Sequence, residues 1–115
     1  MLTWLRTHAA RAARQLGERF SHPRRLLAVE GDALPASMPR RDLVLLTERQ
    51  EPWSVGMRCP CGCGETIELA LFEEAEPRWE LHVDKRGRPT LHPSIWKRDG
   101  CKAHYYVRGG KVIWV

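Results

Sequence analysis

Cys59-Pro60-Cys61-Gly62-Cys63-Gly64 and, 38 residues on, Cys101-Lys102-Ala103-His104 decide how this chain is read. Thiolates and imidazole are the ligands that Zn(2+) prefers, and four of them complete its tetrahedral shell. Glycine and proline between the cysteines let the backbone turn tightly, so that amide N–H groups can point at sulfur. C-x-x-H is an ordinary metal knuckle. The first half is unusual, because it offers three cysteines where a knuckle needs two. The expected ligands are Cys61, Cys63, Cys101 and His104, with Cys59 as the alternative and otherwise a buried thiol at a strand end. Three thiolates and a neutral imidazole leave no position for water, which makes the expected site structural. The competing readings are free buried thiols and disulfides. Cys61 and Cys63 are too close in sequence to bridge well.

Working outward, the flanking sequence reads as short strands. Asp42–Glu48 is an aliphatic run. Thr66–Phe72 alternates, with Ile67, Leu69 and Leu71 on one face. Arg78–Asp84 alternates with Trp79, Leu81 and Val83 inward and Glu80, His82 and Asp84 outward. Arg25–Glu30 is a short strand and Gly31–Pro39 a loop. Pro52 and Gly56 interrupt Trp53–Cys59, and Thr90–Trp96 is mixed. His104–Val107 and Lys111–Val115 flank Arg108-Gly109-Gly110, a hairpin signal. The expected fold is mainly β, a small metal-stabilised sandwich, Rieske-like or zinc-ribbon-like, with an N-terminal amphipathic helix. The chain divides into a basic helical segment, 1–25, and a zinc-binding β domain, 26–115. Of the tryptophans, Trp79, Trp96 and Trp114 read as core and Trp53 as a contact surface.

The helix spans Met1–Phe20. Leu2, Leu5, Ala9, Ala12, Ala13, Leu16 and Phe20 recur at three- and four-residue steps, and Trp4 and His8 widen the face. Charge is concentrated here. The chain carries a net +5, and residues 1–25 hold six arginines against Glu18 alone, so the body is neutral. A nucleic-acid-binding core would place the excess on its folded face, and is not expected. The helix is expected to dock a partner or pack on its own domain. No apolar run reaches the roughly 20 residues of a transmembrane segment. The opening lacks the apolar stretch of a secretory signal, so a cytoplasmic, reducing setting is expected.

A second constellation is Leu91-His92-Pro93-Ser94-Ile95-Trp96. Serine is inert until a base takes its proton. Ser94 is the candidate nucleophile, with His92, two residues away, or His82, across a hairpin centred on Gly87, as base. Amides of the Cys61–Gly64 turn are candidate oxyanion donors. The plain alternative is a serine that caps a turn.

Two resemblances follow from these residues. Cys101-Lys102-Ala103-His104-Tyr105-Tyr106, then Gly109-Gly110-Lys111-Val112, is similar to the second loop and hairpin of a Rieske domain. The first loop departs by having cysteine in place of histidine. That implies a shared scaffold with zinc replacing the two-iron cluster, and makes an electron carrier the more distant reading. Trp53–Gly64, Ile67–Leu69, Trp79–Leu81, Thr90–Trp96 and Gly100–Trp114 together resemble a small bacterial family encoded beside ubiquitin-like modifiers and their activating (E1) and conjugating (E2) enzymes. The resemblance covers about residues 42–115. It implies work on a ubiquitin-like modifier, either as a maturing or deconjugating peptidase or as an accessory binding module. The non-enzymatic reading is an adaptor that binds the modifier or its E1/E2 enzymes.

Overall fold

The computed structural model describes residues 2–115, with the backbone alone for residues 2–5, 7 and 8. The expected contributions of Leu2, Trp4, Leu5 and His8 to the helix face therefore lie outside the described side chains. One helix, α1 (Leu2–Phe20), precedes eight strands. These are β1 (Leu26–Glu30), β2 (Leu43–Glu48), β3 (Glu51–Arg58), β4 (Thr66–Ala70), β5 (Glu80–Val83), β6 (Pro89–Trp96), β7 (His104–Arg108) and β8 (Lys111–Trp114). They form two four-stranded sheets in the orders β1-β2-β3-β4 and β5-β6-β7-β8. The fold is mainly β, as the strand patterning implies.

The core lies between the sheets and follows the period-two rule of strands. Leu43 and Leu45 of β2, Val55 and Met57 of β3 and Leu69 of β4 come from the first sheet. Leu91 and Ile95 of β6, Tyr105 and Val107 of β7 and Val112 of β8 come from the second. Tyr105 is fully buried, and its hydroxyl meets Met57 Sδ at 3.5 Å, joining the two sheets. Each such side chain contributes roughly 1.5–3 kcal/mol by leaving water.

Among the described residues only β1 and β2 pair in parallel, so residues 31–42 must cross over the first sheet. This crossover covers the outer face of that sheet. A Cβ on Gly56 would meet Leu34 Cδ1 at 2.5 Å, so glycine leaves room for the Leu34 methyls, which a larger residue would displace. Hence β3 contains Gly56 without being broken by it. Pro52 is tolerated because it sits at the register shift opposite Thr47.

Trp96, expected in the core, is 54 % exposed. The register explains this. Ile95 faces inward, so Trp96 faces outward on the next position of β6.

Helix α1 lies along the free edge of β8. Gln15 Oε1 accepts from Trp114 N at 2.9 Å, and Gln15 Nε2 donates to Val112 O at 3.2 Å. Glu18 Oε1 accepts from Val112 N at 3.2 Å and forms a buried ion pair with Arg24. The docked face is therefore polar. Ala9, Ala12, Ala13, Leu16 and Phe20 remain exposed.

Candidate active site and cysteine cluster

Two loops meet at one end of the sandwich. Residues 59–65 follow β3, and residues 97–103 join β6 to β7. Gly62 and Gly64 take φ values of 89° and 87°, a left-handed conformation that side chains resist, and so let the first loop fold back on itself. Cys59 N donates to Glu65 O at 2.8 Å and closes it. Lys97 pairs with Glu65, which holds the second loop against the first and keeps the ammonium protonated well above the usual lysine range.

The loops bring together Cys59, Cys61, Cys63 and Cys101, whose sulfurs all lie within 4.8 Å of one another. Cys59 Sγ is 3.3 Å from Cys61 Sγ and 3.7 Å from Cys101 Sγ. A tetrahedral zinc with four sulfurs at about 2.3 Å would separate them by about 3.8 Å, so this donor set fits such an ion. The grouping differs from the expected Cys61, Cys63, Cys101 and His104. Cys59, expected as the spare buried thiol, faces the other sulfurs from the end of β3. His104 is held elsewhere.

Burial pushes the Cys59 thiol well above its ordinary range and raises Cys61 in the same direction. At Cys101 burial acts the same way, but the Ala103 amide and the neighbouring sulfurs outweigh it and lower the thiol. Cys101 is thus a readier thiolate than Cys59 or Cys61. Two of the Cys61–Gly64 amides serve the loop itself. Gly62 N donates to Cys59 O at 3.2 Å and Cys63 N to Cys61 Sγ at 3.3 Å, so these two are committed and do not supply an oxyanion pair.

Ser94 sits at an irregularity in β6. Leu91 pairs with Val107 and Ile95 with Tyr105, so residues 92–94 stand opposite Tyr106 alone. Such a bulge re-aims its side chains. Ser94 Oγ lies 3.0 Å from His104 Nε2. The partner of the serine is therefore the histidine expected at the metal. The register brings them together. Trp96 pairs with His104 across the ladder, and Ser94, two residues before Trp96, reaches the same imidazole diagonally. The Trp96 and His104 rings stack at 5.0 Å with 15° between planes. Trp79 Nε1 donates to Ser94 O at 3.4 Å and braces the bulge from the position just before β5.

His92 and His82, the expected bases, are not brought to the serine hydroxyl. His92 is exposed, on the strand position opposite Glu80. The His82 side chain is 72 % exposed, with Nε2 at 3.9 Å from Glu80. Alternation explains both: each occupies a solvent-facing position of its strand. The pairing of β6 with β7 was the available signal for His104, since an antiparallel hairpin with Ile95 opposite Tyr105 sets Trp96 opposite residue 104.

A half-buried serine hydroxyl bonded to an imidazole nitrogen, on a rigid sheet, has the donor and acceptor geometry of a serine hydrolase. Agreement comes from an independent direction. The BubE family model, described as a bacterial ubiquitination-like system serine protease, matches residues 30–115, and the chain belongs to this family. Helix α1 lies outside the matched residues. Among curated proteins and among solved structures no significant match is found. Among the described residues no helix is long and apolar enough to cross a membrane.

Proposed function

We propose that this chain cleaves the peptide or isopeptide bond at the C-terminus of a bacterial ubiquitin-like modifier, maturing or releasing it, with Ser94 as nucleophile and His104 as general base. The 3.0 Å approach of Ser94 Oγ to His104 Nε2 carries this reading. Ser94 Oγ attacks the scissile carbonyl carbon as its proton passes to His104 Nε2. The tetrahedral adduct expels the amine, which takes that proton from His104. Water then attacks the Ser94 ester, His104 removing its proton and returning it to Ser94 Oγ. Trp96 holds the imidazole plane, and Trp79 holds the Ser94 carbonyl.

Cys59, Cys61, Cys63 and Cys101 are the residues that would hold a zinc ion. A closed four-thiolate ion supplies cross-linking, not chemistry on the substrate. It would fix the loop that delivers His104, three residues after Cys101. Four thiolates around a divalent ion carry a net charge of −2. Arg40, Arg41 and Arg58 line the cleft beside Cys59 and offset it. The modifier's extended tail has an open sheet edge to follow, β5, next to the bulge.

The test is incubation of the protein with the modifier encoded beside it, carrying a C-terminal extension. Wild type is expected to cleave and Ser94→Ala to bind without cleaving. Equal cleavage by Ser94→Ala overturns the mechanism. Binding with no cleavage by wild type leaves the adaptor reading in its place.

A further inference from the structure

Between α1 and the start of β7 lies an open cleft of about 630 Å³. Arg6, Arg11 and Arg14 line one side, and Lys102, His104 and Trp114 the other. Among the described residues four cationic side chains line it against no Asp or Glu, and Cys101 is the one lining side chain that can carry negative charge. Arg14 is held in place, its guanidinium 5.1 Å from the centre of the Trp114 ring. Gln15 and Glu18 fix α1 to β8, so the spacing of the arginines is set by the fold rather than by a loose tail. The cleft also reaches the imidazole that partners Ser94. Positive charge concentrated at the approach to a reacting centre selects negatively charged partners and raises their encounter rate.

We propose that this cleft binds an acidic stretch of the polypeptide substrate, next to the scissile bond, and that α1 is the specificity element of the enzyme. The proposal rests on the serine-peptidase reading and adds the chemical class of substrate. The family match begins after α1, so the arginine wall lies outside the matched residues. Guanidinium groups suit the role, since they pair bidentately with carboxylates and are always charged. The body of the protein is neutral, so the segment that carries the excess charge is also the one placed against the site.

The experiment uses the full chain and two labelled peptides, one of alternating Asp and Glu and one of alternating Asn and Gln, followed by fluorescence anisotropy. Ser94→Ala protein is used in parallel with wild type. The acidic peptide is expected to bind at least about tenfold more tightly than the amide peptide, with the preference lost at high salt. Arg6→Gln/Arg11→Gln, which leaves the Arg14–Trp114 contact intact, is expected to remove most of the preference. Addition of Arg14→Gln removes the rest, with an unchanged circular dichroism spectrum. The His104 imidazole resonance shifts on binding of the acidic peptide. Equal affinity for both peptides overturns the proposal. So does an unchanged preference in the arginine variants, which would move anion binding to the Arg40, Arg41 and Arg58 cleft. The peptidase reading fails separately: Ser94→Ala that cleaves the extended modifier as wild type does would overturn it, whatever the peptides do.

Discussion

Trp96 and His104 are cross-strand partners whose rings stack 5.0 Å apart, and this pair aims the imidazole at Ser94. Arg98 covers the tryptophan, 4.7 Å from the ring centre. A stacked aromatic pair contributes about 0.5–1.5 kcal/mol beyond its buried area. Trp96→Ala should therefore lower kcat for modifier cleavage by roughly tenfold with a smaller effect on KM, and Trp96→Phe should restore most of it. Full activity in Trp96→Ala would show that the ring does not position the base.

Ser94→Ala and His104→Ala should each lower kcat/KM by about 10⁴-fold or more, and the double variant should be no worse than either. His92→Ala and His82→Ala should stay within about twofold of wild type, because neither is bonded to the serine. A collapse of activity in His92→Ala would return that residue to the position of base.

Elemental assay of freshly purified protein should find one zinc per chain. Ser substitution at Cys59, Cys61, Cys63 or Cys101 should remove it, whereas His104→Asn should retain it. The last pair separates the four-cysteine group from the set that includes His104. A brown protein with an iron–sulfur absorbance would instead favour an electron carrier.

Metal removal should make stability fall with pH on the alkaline side. The sign follows from the thiols. In the unfolded chain cysteines ionise near pH ~8.5, whereas the folded, metal-free chain resists ionisation at Cys59 and Cys61. Above that pH the unfolded state holds fewer protons, so folding weakens as pH rises. Cys101 acts in the opposite sense, one thiol against the two that are raised. With metal bound the ligands are already deprotonated and the dependence vanishes. Urea titrations at neutral and alkaline pH, with and without chelator, measure it. A chelated protein equally stable at both would refute this account.

Glu18→Ala should destabilise the fold by about 3–5 kcal/mol, because it leaves the buried Arg24 guanidinium without its carboxylate. Chemical denaturation reads the loss directly.

Most strands were visible in the sequence because aliphatic alternation marks a strand with one buried face, as Thr66–Phe72 and Arg78–Asp84 do. The two that were obscure have local reasons. β3 holds Pro52 and Gly56, which read as breakers and are explained by a register shift and by Leu34. β6 read as mixed because His92-Pro93-Ser94 is a bulge. At the site, Ser94 and the metal-type cysteines were legible from residue chemistry. The role of His104 was not. Its C-x-x-H spacing is that of a knuckle, and only strand pairing shows that Trp96 and Ser94 claim the ring first. The apolar face of α1 misdirected in a similar way. Helix docking was decided by Gln15 and Glu18, whose partners are backbone groups of a strand 97 or more positions from Gln15 and 94 from Glu18, invisible to periodicity.

The amide hydrogens of Val112 and Trp114 are occupied by α1 side chains. The eighth strand thus cannot recruit another chain, and the second sheet can lengthen on one flank only, at β5. An extended guest has a single place to join that sheet, and copies of the protein cannot stack end to end through both of its flanks. A helix that looks like an appendage is in this respect a stopper, and removing it through Glu18 would uncork that edge.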